Sequence, residues 1–99
     1  MKSHRYRITV EHLEDAEGQP VQAAPLIFET RNHDALFSIV ARLREKSLFE
    51  GDEGVSFAIG LKLFSEVMLK HKSHPLFEPL QPHFGTFMKG LKKPSESQA

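Results

Sequence analysis

Three histidines and a glutamate lie close together in the last third of the sequence, and their side chains are of the kinds that bind metal ions. The set is His71, His74, Glu78 and His83. Imidazole binds Zn²⁺ or Ni²⁺ well, a glutamate can supply an oxygen, and histidines three residues apart can share one helix face. The spacing therefore allows a divalent-metal site, and an open coordination position would make it hydrolytic.

A structural role explains the same histidines. His74 precedes Pro75, and a residue before proline is pushed out of the α region, so His74 turns away from the direction that a helical pair needs. His71 lies in the last turn of a predicted helix, where basic side chains suit the negative end, and His83 lies beside a helix start. We therefore expect these histidines to mark a helix boundary and expect no metal, with His71, His74 and His83 as the alternative metal ligands.

Other catalytic patterns are missing from the sequence. The chain has no cysteine, which excludes disulfides, thiolate zinc sites and cysteine nucleophiles. No G-x-S-x-G elbow, H-E-x-x-H pair or P-loop is present. The acidic residues Glu11, Glu14, Asp15 and Glu17 fit a solvated strand end and loop. These features predict a protein that is not an enzyme and needs no cofactor.

The charges cancel, with 13 basic and 13 acidic side chains. Nucleic-acid-binding domains usually carry a strong positive excess, so a nucleic-acid partner is not expected. Two basic patches remain, one with Lys2, Arg5 and Arg7 and the other with Lys89, Lys92 and Lys93. We interpret them as solvated faces, with weak anion or nucleic-acid binding through surface lysines as a second alternative.

The N-terminal stretch "MKSHRYRITV" has no apolar signal core. No window approaches the roughly 20 apolar residues of a membrane span. The sequence therefore predicts a cytoplasmic protein without a membrane partner.

Two stretches near the N-terminus alternate between apolar and polar residues. In "HRYRITVEHL", Tyr6, Ile8 and Val10 point to one side, and in "PLIFETR", Leu26, Phe28 and Thr30 share one face. A period of two with aromatic and β-branched residues predicts strands. A flexible acidic loop over residues 14–24 joins them, which favours an antiparallel pair.

Three helical segments follow. The first has an apolar stripe of Leu36, Ile39, Val40 and Leu43, with Asn32 or Asp34 as its predicted cap. The second starts near Asp52 or Glu53 and ends at the histidines. Seven of its residues fall within one arc, and a helix this apolar is predicted to be the central one, covered on more than one side. The arc contains Phe57, Gly60, Leu61, Phe64, Val67, Met68 and His71. Gly60 is explained there by close approach of another element. The third has its apolar residues between Leu80 and Leu91.

The order ββααα predicts an α+β domain over residues 1–93, with about three helices packed on one face of a small antiparallel sheet that has two strands per chain. Residues 94–99 are predicted to form a disordered polar tail. A two-stranded sheet is marginal and exposes two edges. Arg5 and Arg7, or the prolines of the loop, would protect these edges. Alternatively, a homodimer, formed through a strand edge or an apolar helix surface, would cover them.

The element order and three phrases, "HRYRITVEHL", "FETRNHDALFSIVARLREK" and "FSEVMLKHKSHPLFEPLQPHFGTFMKGLKK", resemble the small bacterial domain-of-unknown-function family numbered 3861. The resemblance spans roughly His4 to Lys93. It implies a bacterial cytoplasmic protein with a compact α+β fold. It implies no activity, cofactor or functional residue.

The functional hypothesis is a non-enzymatic protein-interaction or ligand-binding module that associates with itself. Its predicted interaction surface lies where Phe77, Leu80 and Phe84 meet the long helix, or along an open strand edge. The basis is abundant aromatic surface without a reactive constellation.

Overall fold

Two antiparallel strands are followed by three helices, so the predicted order ββααα and the α+β class are confirmed. The computed structural model describes residues 2–92, and Lys93 and the predicted polar tail lie outside the described residues. The strands are β1 (His4–Val10) and β2 (Leu26–Asn32). The helices are α1 (Leu36–Lys46), α2 (Glu53–Lys70) and α3 (Gln81–Lys92), with a short 3₁₀ turn, Glu78–Leu80, directly before α3.

The chain divides into two compact units. Residues up to His33 form a hairpin unit, and residues from Asp34 onward form a helical unit. The single domain expected over residues 1–93 stays a prediction.

The register of the hairpin sorts its side chains onto two faces. Tyr6 lies opposite Thr30, Ile8 opposite Phe28, and Val10 opposite Leu26. Because opposite residues of an antiparallel pair share a face, these six side chains form one face. The predicted same-face sets are therefore confirmed.

The loop between the strands is built around a hydrogen-bonded turn, which the sequence analysis did not predict. The Asp15 carboxylate accepts hydrogen bonds from the backbone N–H groups of Glu17 and Gln19, both at 2.9 Å. Gly18 has a φ of 82°, a left-handed conformation that glycine adopts without steric cost. Glu14 and Pro20 form an antiparallel bridge next to this turn. Asp15 therefore shapes the loop, as aspartate often does in turns.

α1 packs against α2 through a core of few residues. Leu36 and Leu43 of α1 are buried, as the predicted stripe requires. The buried residues of α2 are Gly54, Ala58, Ser65 and Met68. Three of these four are small, and their spacing places them on one side of the helix. A Cβ added at Gly54 meets no heavy atom within 4 Å, so no other element approaches closely at that position.

Most members of the arc predicted for α2 are exposed. Met68 is buried, but Phe64 is 41% exposed, Val67 is 50% exposed, and Gly60 and His71 are also exposed. The side of α2 that is buried carries mostly small residues.

The predicted capping of α1 by Asn32 or Asp34 stays a prediction. Ala35 is the residue at the N-cap position, and its own side chain makes no capping hydrogen bond. Asn32 belongs to β2, and the Asp34 carboxylate pairs with Lys62 Nζ at 3.0 Å. Both side chains of this pair are largely shielded from solvent. The predicted start of α2 is confirmed, with Asp52 at its N-cap.

Six phenylalanines of the helical unit form a continuous series of ring contacts, which we call the aromatic cluster. Its members in order of contact are Phe49, Phe57, Phe87, Phe84, Phe64 and Phe77. Phe64 connects α2 with the residues that follow it. Its ring centroid lies 6.0 Å from that of Phe77 and 6.4 Å from that of Phe84. Tilted and edge-to-face rings at such distances attract each other. Aromatic contacts therefore hold the 3₁₀ turn and α3 on α2.

The far end of α3 is held by a hydrogen bond from α1. Lys46 Nζ donates to the backbone oxygen of Leu91 at 2.6 Å in a partly buried position. Carbonyl groups in the last turn of a helix lack partners within the helix, and a cation suits that negative end. Lys46 thus ties the C-terminal end of α1 to the C-terminal end of α3.

His74 organises the turn that follows α2. Its backbone N–H donates to His71 O at 3.0 Å, and its own carbonyl accepts from the N–H groups of Phe77 and Glu78. The imidazole Nδ1 accepts from the Leu76 N–H at 3.0 Å. This bond spans Pro75 in the manner of an Asx turn. The interpretation of His74 as a helix-boundary residue therefore has a specific hydrogen-bond basis.

Gly60 was expected to allow close approach of another element, and this is wrong. A Cβ added at Gly60 meets no heavy atom within 4 Å. We therefore predict that Gly60→Ala raises the free energy of unfolding by up to about 1 kcal/mol, because alanine favours the helix. Gly51→Ala is the matched control, and its φ of 58° should make that substitution destabilising. Urea unfolding monitored by circular dichroism measures both, and a destabilised Gly60→Ala variant would contradict the open space described here.

The His74 hydrogen bond gives a second prediction. His74→Ala removes the acceptor for the Leu76 N–H and should lower the free energy of unfolding by about 0.5–1 kcal/mol. His74→Asn keeps an oxygen that can accept the same bond and should lose less. His83→Ala removes an exposed imidazole from α3 and serves as the control. Equal unfolding free energies for His74→Ala and His83→Ala would show that the turn does not need Nδ1.

Candidate interaction surface

One face of the hairpin is apolar and largely open to solvent. The apolar hairpin face consists of Tyr6, Ile8, Val10, Leu26, Phe28 and Thr30. Tyr6, Ile8 and Thr30 are half-buried, whereas Val10, Leu26 and Phe28 are 51%, 63% and 40% exposed. Large apolar side chains that are exposed side by side are typical of interaction surfaces.

The opposite face of the hairpin is charged. Arg7 lies across from Glu29, with Arg7 Nη2 3.3 Å from Glu29 Oε2. Arg5 Nε lies 3.8 Å from the other oxygen of the same carboxylate. Arg31 lies opposite Arg5, and its guanidinium donates at 3.4 Å to the backbone and side-chain oxygens of Ser3. Two arginines thus contact Glu29, and with Arg31 this face has three arginines and one glutamate, an excess of two positive charges.

These ion pairs add little stability, because the arginine side chains are about two-thirds exposed. Exposed pairs of this kind contribute roughly 0–1 kcal/mol. Their larger effect is on recognition, since an excess of positive charge favours an acidic neighbour. Arg5 and Arg7 were expected in a basic patch, whereas Arg31 and Glu29 were not predicted on this face. The signal was available in the alternation, since odd-numbered residues of both predicted strands share this face.

The strand edges are the second feature of the hairpin. The sheet of the described residues contains β1 and β2 alone, so each strand has one edge without a strand neighbour. Glu11 follows directly after β1, is exposed, and pairs with no side chain among residues 2–92. An edge strand that keeps alternating side chains can accept a further strand.

The predicted interaction residues Phe77, Leu80 and Phe84 are half-buried within the helical unit. Phe77 and Phe84 both pack against Phe64, so much of their surface already serves internal contacts. The structure therefore brings the two aromatic residues together around α2. Their more exposed neighbours are Phe64 and Phe87.

The three histidines occupy separate structural positions. His71 is the C-cap of α2, His74 lies in the following turn, and His83 lies in the first turn of α3. All three are exposed, as is Glu78. Within residues 2–92, no group of three or more His, Cys, Asp or Glu side chains could hold a metal ion. The alternative set His71, His74 and His83 is therefore not assembled as a three-ligand site.

The basic patches of the sequence fall in different units. Lys2, Arg5 and Arg7 are exposed in the hairpin unit, and Glu29 balances part of their charge. Lys89 and Lys92 are exposed near the end of α3, and Lys93 lies outside the described part of the chain. Each patch by itself is small, which fits the interpretation as solvated faces.

A transmembrane helix is not found in the part of the chain that the structure describes. α2 has 18 residues, but neither it nor another helix between residues 2 and 92 combines enough length and apolar character to cross a bilayer.

Comparison with known proteins gives one family and one solved structure. Residues 4–93 match a family described as a domain of unknown function with a solved structure (DUF3861). A crystal structure of a protein of unknown function (eca1910) from Pectobacterium atrosepticum is similar, with 34% sequence identity and a TM-score of 0.78. The match covers 92% of this chain and 98% of that chain.

No curated protein matches the sequence. The family description and the similar crystal structure indicate no specific function. The family match covers nearly the whole chain, and the resemblance predicted from the sequence is confirmed: the chain belongs to the DUF3861 family.

Proposed function

We propose that the protein is a non-enzymatic protein-interaction module that associates with a second copy of itself through the hairpin unit. The observation that carries this proposal is the exposure of Val10, Leu26 and Phe28 side by side on the apolar hairpin face. An isolated two-stranded hairpin is marginally stable in water. A partner that covers or extends this surface stabilises it.

The energetic gain from such a partner is substantial. Complete burial of one Val, Leu or Phe side chain contributes about 1.5–3 kcal/mol. Partial burial of several such residues therefore offsets a good part of the entropy that two chains lose when they associate. The hairpin unit is favoured over the aromatic cluster as the interaction surface, because Phe77 and Phe84 already pack against Phe64.

The overall charge supports association between identical chains. The formal net charge is zero at pH 7 with neutral histidines, so two copies do not repel each other through net charge. The hairpin is also polarised, with arginines on its strands and the acids Glu11, Glu14 and Glu17 toward its loop.

The non-enzymatic part is supported by what the polar side chains do. Asp15 accepts two backbone hydrogen bonds in the loop, His74 accepts one in the turn after α2, and Asp34 pairs with Lys62. These groups could serve as acids or bases elsewhere, but here they stabilise local structure.

The proposal predicts a dimer in solution. Size-exclusion chromatography with light scattering should give twice the mass of the 11.3 kDa chain at high concentration, with monomer appearing on dilution. Val10→Lys places a charge on the apolar hairpin face and should raise the dimer dissociation constant at least about tenfold. Leu76→Lys, at a side chain that is 71% exposed in the helical unit, is the matched control and should leave it unchanged. A mass of one chain at every concentration would refute self-association.

A further inference from the structure

We propose that β1 pairs with β1 of a second copy in an antiparallel register centred on Ile8, which joins two hairpins into one four-stranded sheet. This inference rests on the proposed self-association, and it adds the edge, the register and the residue pairs. The strand order of the combined sheet is β2-β1-β1-β2, with a two-fold axis between the two central strands.

Symmetry restricts the registers that β1 can adopt with itself. A two-fold axis perpendicular to the sheet keeps each side chain on its own face. Even-numbered residues therefore meet even-numbered residues, and odd-numbered residues meet odd-numbered ones. Every such register is centred on one residue of β1 that lies opposite itself, and a change of register moves the whole set of pairs.

The register centred on Ile8 matches the apolar side chains. Ile8 lies opposite the partner's Ile8, and Tyr6 lies opposite the partner's Val10. Pairs between aromatic and β-branched residues are among the favourable cross-strand contacts. The ring of Tyr6 then covers part of the exposed side chain of the partner's Val10. The apolar hairpin faces of the two copies become continuous.

The same register matches the charged side chains. Arg5 lies opposite the partner's Glu11, and Arg7 lies opposite the partner's Thr9. Because of the two-fold axis, each of these pairs occurs twice. Glu11 is exposed and pairs with no side chain among residues 2–92, so it is available for this contact. The segment from Arg5 to Glu11 is thus self-complementary on both faces.

The neighbouring registers of β1 are poorer. A register centred on Arg7 places two arginines opposite each other, and one centred on Tyr6 places Arg5 opposite the partner's Arg7. Like charges directly across a strand pair are destabilising. A register centred on Thr9 pairs Arg7 with Glu11, but it sets Tyr6 against His12 and Arg5 against Leu13. Of these four registers, the Ile8 register alone pairs apolar side chains with each other on one face and opposite charges on the other.

The outer edge of β2 is a weaker choice. Centring on Glu29 places two carboxylates opposite each other. Centring on Thr30 pairs Glu29 with the partner's Arg31 but sets Phe28 opposite Asn32, a polar residue that is already buried. Centring on Phe28 leaves Glu29 opposite Ile27. Self-complementarity therefore selects β1.

Single cysteines test the register directly, because the chain has no cysteine of its own. Directly opposite residues in an antiparallel pair have Cα atoms about 4.5–5.5 Å apart, within reach of a disulfide. Ile8→Cys should therefore form a covalent dimer under mild oxidation. Arg7→Cys and Thr9→Cys place their cysteines on diagonal positions about 7–8 Å apart and should cross-link poorly alone. An equal mixture of these two variants should cross-link well, since positions 7 and 9 face each other.

Charge reversal gives an independent test in the reduced, cysteine-free protein. Glu11→Arg and Arg5→Glu should each raise the dimer dissociation constant at least about tenfold, because each creates two like-charge pairs. The double variant, or a mixture of the two single variants, should restore association. Glu14→Arg makes the same charge change in the loop and is the control. Arg5→Glu also brings a second acid near Glu29, so Glu11→Arg is the cleaner probe, and circular dichroism checks that both variants fold.

The outcomes separate this inference from the proposed function. A chain that is monomeric at every concentration removes both. A dimer that ignores Glu11→Arg, or that cross-links through residue 7 or residue 9 alone but not through residue 8, overturns the Ile8 register and leaves self-association standing.

Discussion

The antiparallel register of β1 against β2 is the constraint on which the rest of the interaction surface depends. With Ile8 opposite Phe28, every even-numbered side chain of the two strands lies on one face and every odd-numbered one on the other. A slip by one residue would put Arg5 and Arg7 among the apolar side chains. The register thus creates at once an apolar face, an arginine-rich face, and an edge whose residues are ordered in a self-complementary way.

In the helical unit, the buried side of α2 carries mostly small side chains, namely Gly54, Ala58 and Ser65 together with Met68. Phe57 and Phe64 of α2 contact α3 and the turn before it. The aromatic cluster therefore chiefly packs α3 and the turn before it against α2.

Sequence reasoning predicted the strands well because alternation over Tyr6, Ile8 and Val10 has one simple interpretation. It failed on α2 because a helix that is apolar nearly all round does not reveal its buried side, and Gly60 was explained by a contact that does not exist. The ion pair between Asp34 and Lys62 could not be predicted, since the two residues lie far apart along the chain. At the candidate site, residue types were visible in the sequence, but the contact between Glu29 and both arginines required the strand register.

The central claim is that β1 meets itself across a two-fold axis at Ile8. Isotope-filtered NOE spectroscopy on an equal mixture of labelled and unlabelled protein observes contacts between copies without any substitution. The account predicts intermolecular NOEs between the Tyr6 ring and the Val10 methyl groups, and between the methyl groups of the two Ile8 residues. Intermolecular NOEs that arise only from α2 and α3, in a sample that is dimeric, would contradict it.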